Sequence, residues 1–120
     1  MGESLTFAKG VLKRNIGLLL EIPAGSIPEK DMDDIRIRIQ DAQGTLIQNE
    51  RQIWLRAKEG KEMMGDLGVA STKLLGTIER LRAKDPDPSL FKDLKAALGE
   101  VELHIKRINE ETRRRGFVLI

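Results

Sequence analysis

The sequence contains no cysteine and no tyrosine, and only one histidine and one tryptophan. Without cysteine there is no disulfide scaffold, no thiolate nucleophile and no Cys-ligated zinc. One histidine is too few for a multi-His metal site and leaves room for at most one Ser/His arrangement. Aromatic residues make up 3% of the chain. That scarcity counts against an aromatic-lined ligand pocket and against a base-stacking platform. No apolar run approaches the ~20 residues that a membrane-spanning helix needs. Lys9, Lys13 and Arg14 interrupt the first apolar segment, so it lacks a signal-peptide pattern. The glycines are scattered and form neither G-x-G-x-x-G nor G-x-x-x-x-G-K-[ST]. Asp31, Asp33 and Asp34 cluster without the glycine and terminal glutamate of a calcium loop. Lys+Arg and Asp+Glu nearly cancel, to a net +2, so no strongly charged partner is called for.

What the chain does have is helical periodicity. Phe91, Leu94, Leu98, Val101, Ile105 and Ile108 recur at alternating intervals of three and four residues, which places them in one stripe of a helix. Charge fills the positions between, so this helix must lay its stripe against another. Helices are expected over 4–21, 31–59, 62–84 and 88–115, with an apolar tail over 116–120. Pro23 ends the first. Ile22 and Ile27 are expected to tuck inward and pin the loop that follows. The second carries Met32, Ile35, Ile39, Ala42, Leu46, Asn49 and Ile53 at heptad spacing. That spacing outweighs the strand-like alternation of Ile35-Arg36-Ile37-Arg38-Ile39. Gly60 reads as the cap that ends it. The third has the stripe Met64, Leu67, Leu74, Leu75, Ile78 and Leu81, thinned by Gly65, Gly68 and Gly76. Asp85-Pro86-Asp87-Pro88 breaks the chain, with Asp87 as N-cap and Pro88 as first helical residue. Gly116 ends the last helix.

The expected fold is therefore all-α and a single domain. It is an antiparallel bundle of about four helices joined up-down by short connections. If the chain ran unbroken through Gly60, it would instead be an elongated helical hairpin in coiled-coil style.

Three features invite a functional reading. Ile53, Trp54 and Leu55 cannot all face one core. Either the second helix has a wide core face, or Ile47, Trp54 and Leu55 anchor a partner helix in a docking groove. The tail residues Phe117, Val118, Leu119 and Ile120 are expected to fold back on the bundle or to bind a partner. Arg113, Arg114 and Arg115, with Lys106 and Arg107, form a basic run that could meet nucleic acid. Positive residues also suit the last turn of a helix, and Glu110 and Glu111 neutralise part of this run. His104 stands one turn from Glu100, but no nucleophile or metal partner accompanies the pair.

The expected function is thus non-enzymatic, without cofactor or metal: a helical protein-binding module, adaptor or cytosolic chaperone that buries amphipathic helices of another protein. The format is similar to that of flagellar and type III export chaperones, which are small, helical and cysteine-poor. One alternative is a structural coiled-coil component that self-associates as a homo-oligomer. Nucleic-acid association through the basic run ranks behind both. No membrane span is expected, and the location expected is cytoplasmic.

Overall fold

A computed structural model describes residues 3–23, 27–83 and 87–116. They form four α-helices: α1 (Glu3–Leu19), α2 (Glu29–Asn49), α3 (Lys58–Leu81) and α4 (Ser89–Arg115). The described residues contain no strand. A short 3₁₀ turn, Ile53–Arg56, lies between α2 and α3. The stripes read from the sequence form the shared core: Leu12 and Leu19, Ile35 and Leu46, Leu67 and Ile78, Leu98 and Val101 are all at most 1% exposed. In the segment of alternating isoleucines, Ile35 and Ile39 point inward and Ile37 points out, as a helix requires.

The helices form a square. α1 packs on α2 and α3, and α4 packs on α2 and α3. Ion pairs set the directions. Lys9 with Glu50 makes α1 and α2 antiparallel. Arg82 with Glu21 at 3.4 Å, together with Asn15 donating to the Ser71 carbonyl at 3.2 Å, makes α1 and α3 parallel. Arg38 with Glu102 and Asn49 with Asn109 make α2 and α4 parallel. Arg115 with Glu59 makes α3 and α4 antiparallel. Helix directions therefore alternate along the chain, but α2 and α3, which follow one another, sit across a diagonal. The molecule measures 47 × 23 × 19 Å.

That diagonal crossing corrects the expected second helix. The helix stops at Asn49, not at residue 59. Gln52 and Ala57 are extended and flank the 3₁₀ turn. The turn swings Trp54 and Leu55 into the core, to 5% and 6% exposure, and leaves Ile53 half exposed. The Trp54 indole N–H donates to the Thr112 hydroxyl at 3.0 Å. Burying an indole with its N–H satisfied outweighs two more exposed turns of helix. Gly60 is consequently not a cap. It lies in the first turn of α3, where an added Cβ would meet the Trp54 carbonyl oxygen at 2.3 Å and Leu55 Cα at 2.5 Å. The same break rules out the long hairpin.

Other expectations hold. Ile22 and Ile27 are buried. Asp87 accepts from the Ser89 N–H at 2.9 Å and caps α4. Gly116 takes φ 85°, the left-handed conformation that closes a helix. α2 starts earlier than expected, at Glu29 instead of residue 31, with the Met32 N–H bonded to the Pro28 carbonyl at 2.9 Å. Asp85 and Pro86 lie outside the described residues.

Candidate functional site

A bundle of four helices has four outward grooves, and ion pairs between long side chains bridge two of them. Between α1 and α2, Lys9 reaches Glu50. Between α2 and α4, Arg38 is held by Glu102, with one contact from Nε at 3.1 Å, beside a hollow of about 260 Å³ that Ala42, Thr45 and Asn109 also line. The Arg38 guanidinium is raised above its usual range, chiefly by that hydrogen bond. Between α1 and α3, the Phe7 ring lies over Gly68, where a Cβ would come within 3.0 Å of the ring.

The α3/α4 groove holds a wider hollow. Small side chains floor it: Gly76 and Thr77 on α3, Ala96 and Ala97 on α4. It encloses about 500 Å³ and continues past Ala70 toward His104 as a second hollow of about 190 Å³. Its rims carry charge at seven-residue intervals. On α3 these are Asp66, Lys73 and Arg80; on α4 they are Asp93 and Glu100, and the same spacing adds Arg107. Lys73 lies 4.0 Å from Glu100, and Glu59 pairs with Arg115, which fixes the antiparallel register. In that register Arg80 is level with Asp93, and Asp66 is level with Arg107. Neither makes an ion pair among the described residues. Val69 stands outside the rim, 62% exposed, and Leu103, seven residues after Ala96, is 46% exposed at nearly the same level. On both helices the charged positions repeat by the heptad, and a neighbouring heptad row sets a large residue beside a small one, Val69 with Gly76 on α3 and Leu103 with Ala96 on α4, which is how helices are read by other helices.

The sequence-derived anchors fall elsewhere. Trp54 and Leu55 lie in the protein's own core, so neither is presented to a partner, while Ile47 is 45% exposed on α2. The three do not form one exposed face. Phe117, Val118, Leu119 and Ile120 lie outside the described residues. Asn49 is buried inside the chain's own bundle and donates to the Thr45 carbonyl at 2.8 Å and to Asn109 at 3.3 Å.

The basic run is largely occupied. Arg114 and Arg115 bind Glu111, and Arg115 also binds Glu59 and lies over the Trp54 ring, 5.2 Å from its centroid. Arg114 first, then Arg115, hold the Glu111 carboxyl at about 2. Lys106 lies 3.9 Å from Glu110. Arg107 and Arg113 are exposed. The run is therefore split between the end of the bundle and the α3/α4 rim.

Buried polar atoms lie away from the groove. The Asn15 and Asn49 amide oxygens, the Gln52 amide oxygen and the Ser71 hydroxyl have no partner. Among the described residues no three His, Asp or Glu side chains are grouped to hold a metal ion, and no helix is long and apolar enough to cross a membrane. The heptad rows of the rim were present in the sequence; what identifies them as one surface is the register between α3 and α4. Comparison with family models, curated proteins and solved structures yields no match to the chain.

Proposed function

We infer that the protein is a non-enzymatic helix-binding module whose working surface is the outer face of α3 and α4. The observation that carries this reading is the pair of heptad rows of charge on that face, Asp66, Lys73 and Arg80 on one rim and Asp93, Glu100 and Arg107 on the other, with a floor of small residues between them and Val69 and Leu103 exposed beside it. A small-residue floor lets a helix axis approach closely. Flanking charges then choose the partner and its direction. An adaptor or a cytosolic chaperone would use this face to hold an amphipathic segment, and an assembly component would use it to join subunits. Trp54 has no part in the contact; it holds the end of the bundle from inside.

Site-specific photo-cross-linking in the protein's own host tests this. A photoreactive residue at Val69 is expected to give discrete adducts. The same residue at Gly44, which is exposed on α2, is expected to give none. No adduct from position 69, or the same ladder from both positions, would contradict the reading.

A further inference from the structure

We propose that the occupant of the α3/α4 face is the same face of a second copy of this chain, related by a two-fold axis parallel to the helices. The proposal rests on the helix-binding reading and names its partner. It follows from the charges. On this face each rim is complementary to the other: Lys73 stands across from Glu100, Arg80 is level with Asp93, and Asp66 is level with Arg107. A two-fold axis along the helices lays α3 of one copy over α4 of the other and leaves every height unchanged. Lys73 of each copy then faces Glu100 of the other, Arg80 faces Asp93, and Asp66 faces Arg107. The apolar residues obey the same rule. Val69 comes over the Leu103 level, and Gly76 over Ala96 and Ala97, where small residues allow close approach.

The other self-complementary arrangement has its axis across the helices. At the height of Lys73 it would set Lys73 against Lys73 and Glu100 against Glu100, and at the height of Val69 it would set Asp66 against Lys73 and Glu100 against Arg107; only the axis along the helices pairs Lys73 of one copy with Glu100 of the other, so only that symmetry lets reversals at these two positions rescue one another. The rim also has charge to spare. Among the described residues Asp66, Arg80, Asp93 and Arg107 have no ion-pair partner within the chain, and Lys73 and Glu100 remain 65% and 54% exposed at the long distance of 4.0 Å. By contrast, the α2/α4 groove is bridged by Arg38 and Glu102, whose side chains are 32% and 38% exposed, and its hollow holds about 260 Å³.

The test uses two charge reversals, separately and mixed. Lys73→Glu leaves acid on both rims, and Glu100→Lys leaves base on both. Each variant still lacks its internal Lys73–Glu100 pair when the two are combined, so only pairing between chains can rescue association. Sedimentation equilibrium over a roughly hundredfold range of concentration should show the unaltered chain rising from 13.5 kDa toward twice that mass. Each variant alone should associate at least roughly tenfold more weakly, and the equimolar mixture should regain the dimer. Added salt should weaken all of these. Both substituted side chains are exposed, and far-UV circular dichroism checks that each variant remains helical.

An unaltered chain that stays monomeric throughout overturns the proposal. So does a dimer indifferent to both reversals, or variants that do not rescue one another. Adducts from position 69 that contain a different protein, together with a monomeric purified chain, would retain the helix-binding reading while removing the second copy.

Discussion

Gly60 and Gly44 are both helical glycines, yet they should respond oppositely to the same substitution. At Gly60 a methyl group would enter the backbone of the Trp54 turn, with the nearest atom at 2.3 Å. Backbone cannot rotate away as a side chain can, so Gly60→Ala is expected to destabilise by about 3 kcal/mol. At Gly44 nothing lies within 4 Å of the added Cβ. Gly44→Ala should therefore stabilise by about 1 kcal/mol through reduced freedom of the unfolded chain and better helix propensity. Denaturant melts of the two variants check the pair of signs. The contrast also shows why Gly60 misleads when read alone. Its position after a long apolar pattern resembles a helix end, whereas its requirement comes from a contact five to six residues earlier. Trp54 carries the same lesson: its partner Thr112 is 58 residues away, and no local pattern joins them.

At the scale of the helix, α4 was the most legible element and α2 the least. Asp87, Gly116 and the 3–4 stripe are local signals, and each does locally what the structure uses it for. The end of α2 is decided by tertiary burial of Trp54 and Leu55, so the heptad continuing into Ile53 pointed past the true end. Two carboxylates in α4 and its cap give a pH dependence with a definite sign. Asp87 is lowered mainly by the Ser89 backbone N–H, and Glu111 is lowered to about 2 by Arg114 and Arg115. A carboxyl lowered in the folded state binds protons more readily when unfolded. Its stabilisation is present above the ordinary carboxylate range and is lost as pH falls through the folded value. For Glu111 that window runs from 4.5 down to about 2. The Glu111 carboxyl resonance should titrate in that low range, and Glu111→Gln should flatten part of the acid limb of a stability–pH curve.

At the scale of the whole molecule, the all-α bundle could be read from periodicity, but the diagonal crossing and the working face could not. The first needs the Trp54 turn. The second needs the α3/α4 register, because Asp66, Lys73 and Arg80 are ordinary solvated charges until Arg107, Glu100 and Asp93 are set across from them. Once they are, heptad rows of charge flank a floor of small residues with Val69 and Leu103 exposed beside it, and the proposed dimer sets those charges against their opposites in a second copy. Amide shift mapping across a concentration series tests this central claim most directly. The account predicts shifts confined to the outer stripes of 66–80 on α3 and 93–107 on α4, growing with concentration and suppressed by Lys73→Glu. Shifts that gather instead around Phe7, Leu20 or Ile47, or a spectrum that does not change at all, would contradict it.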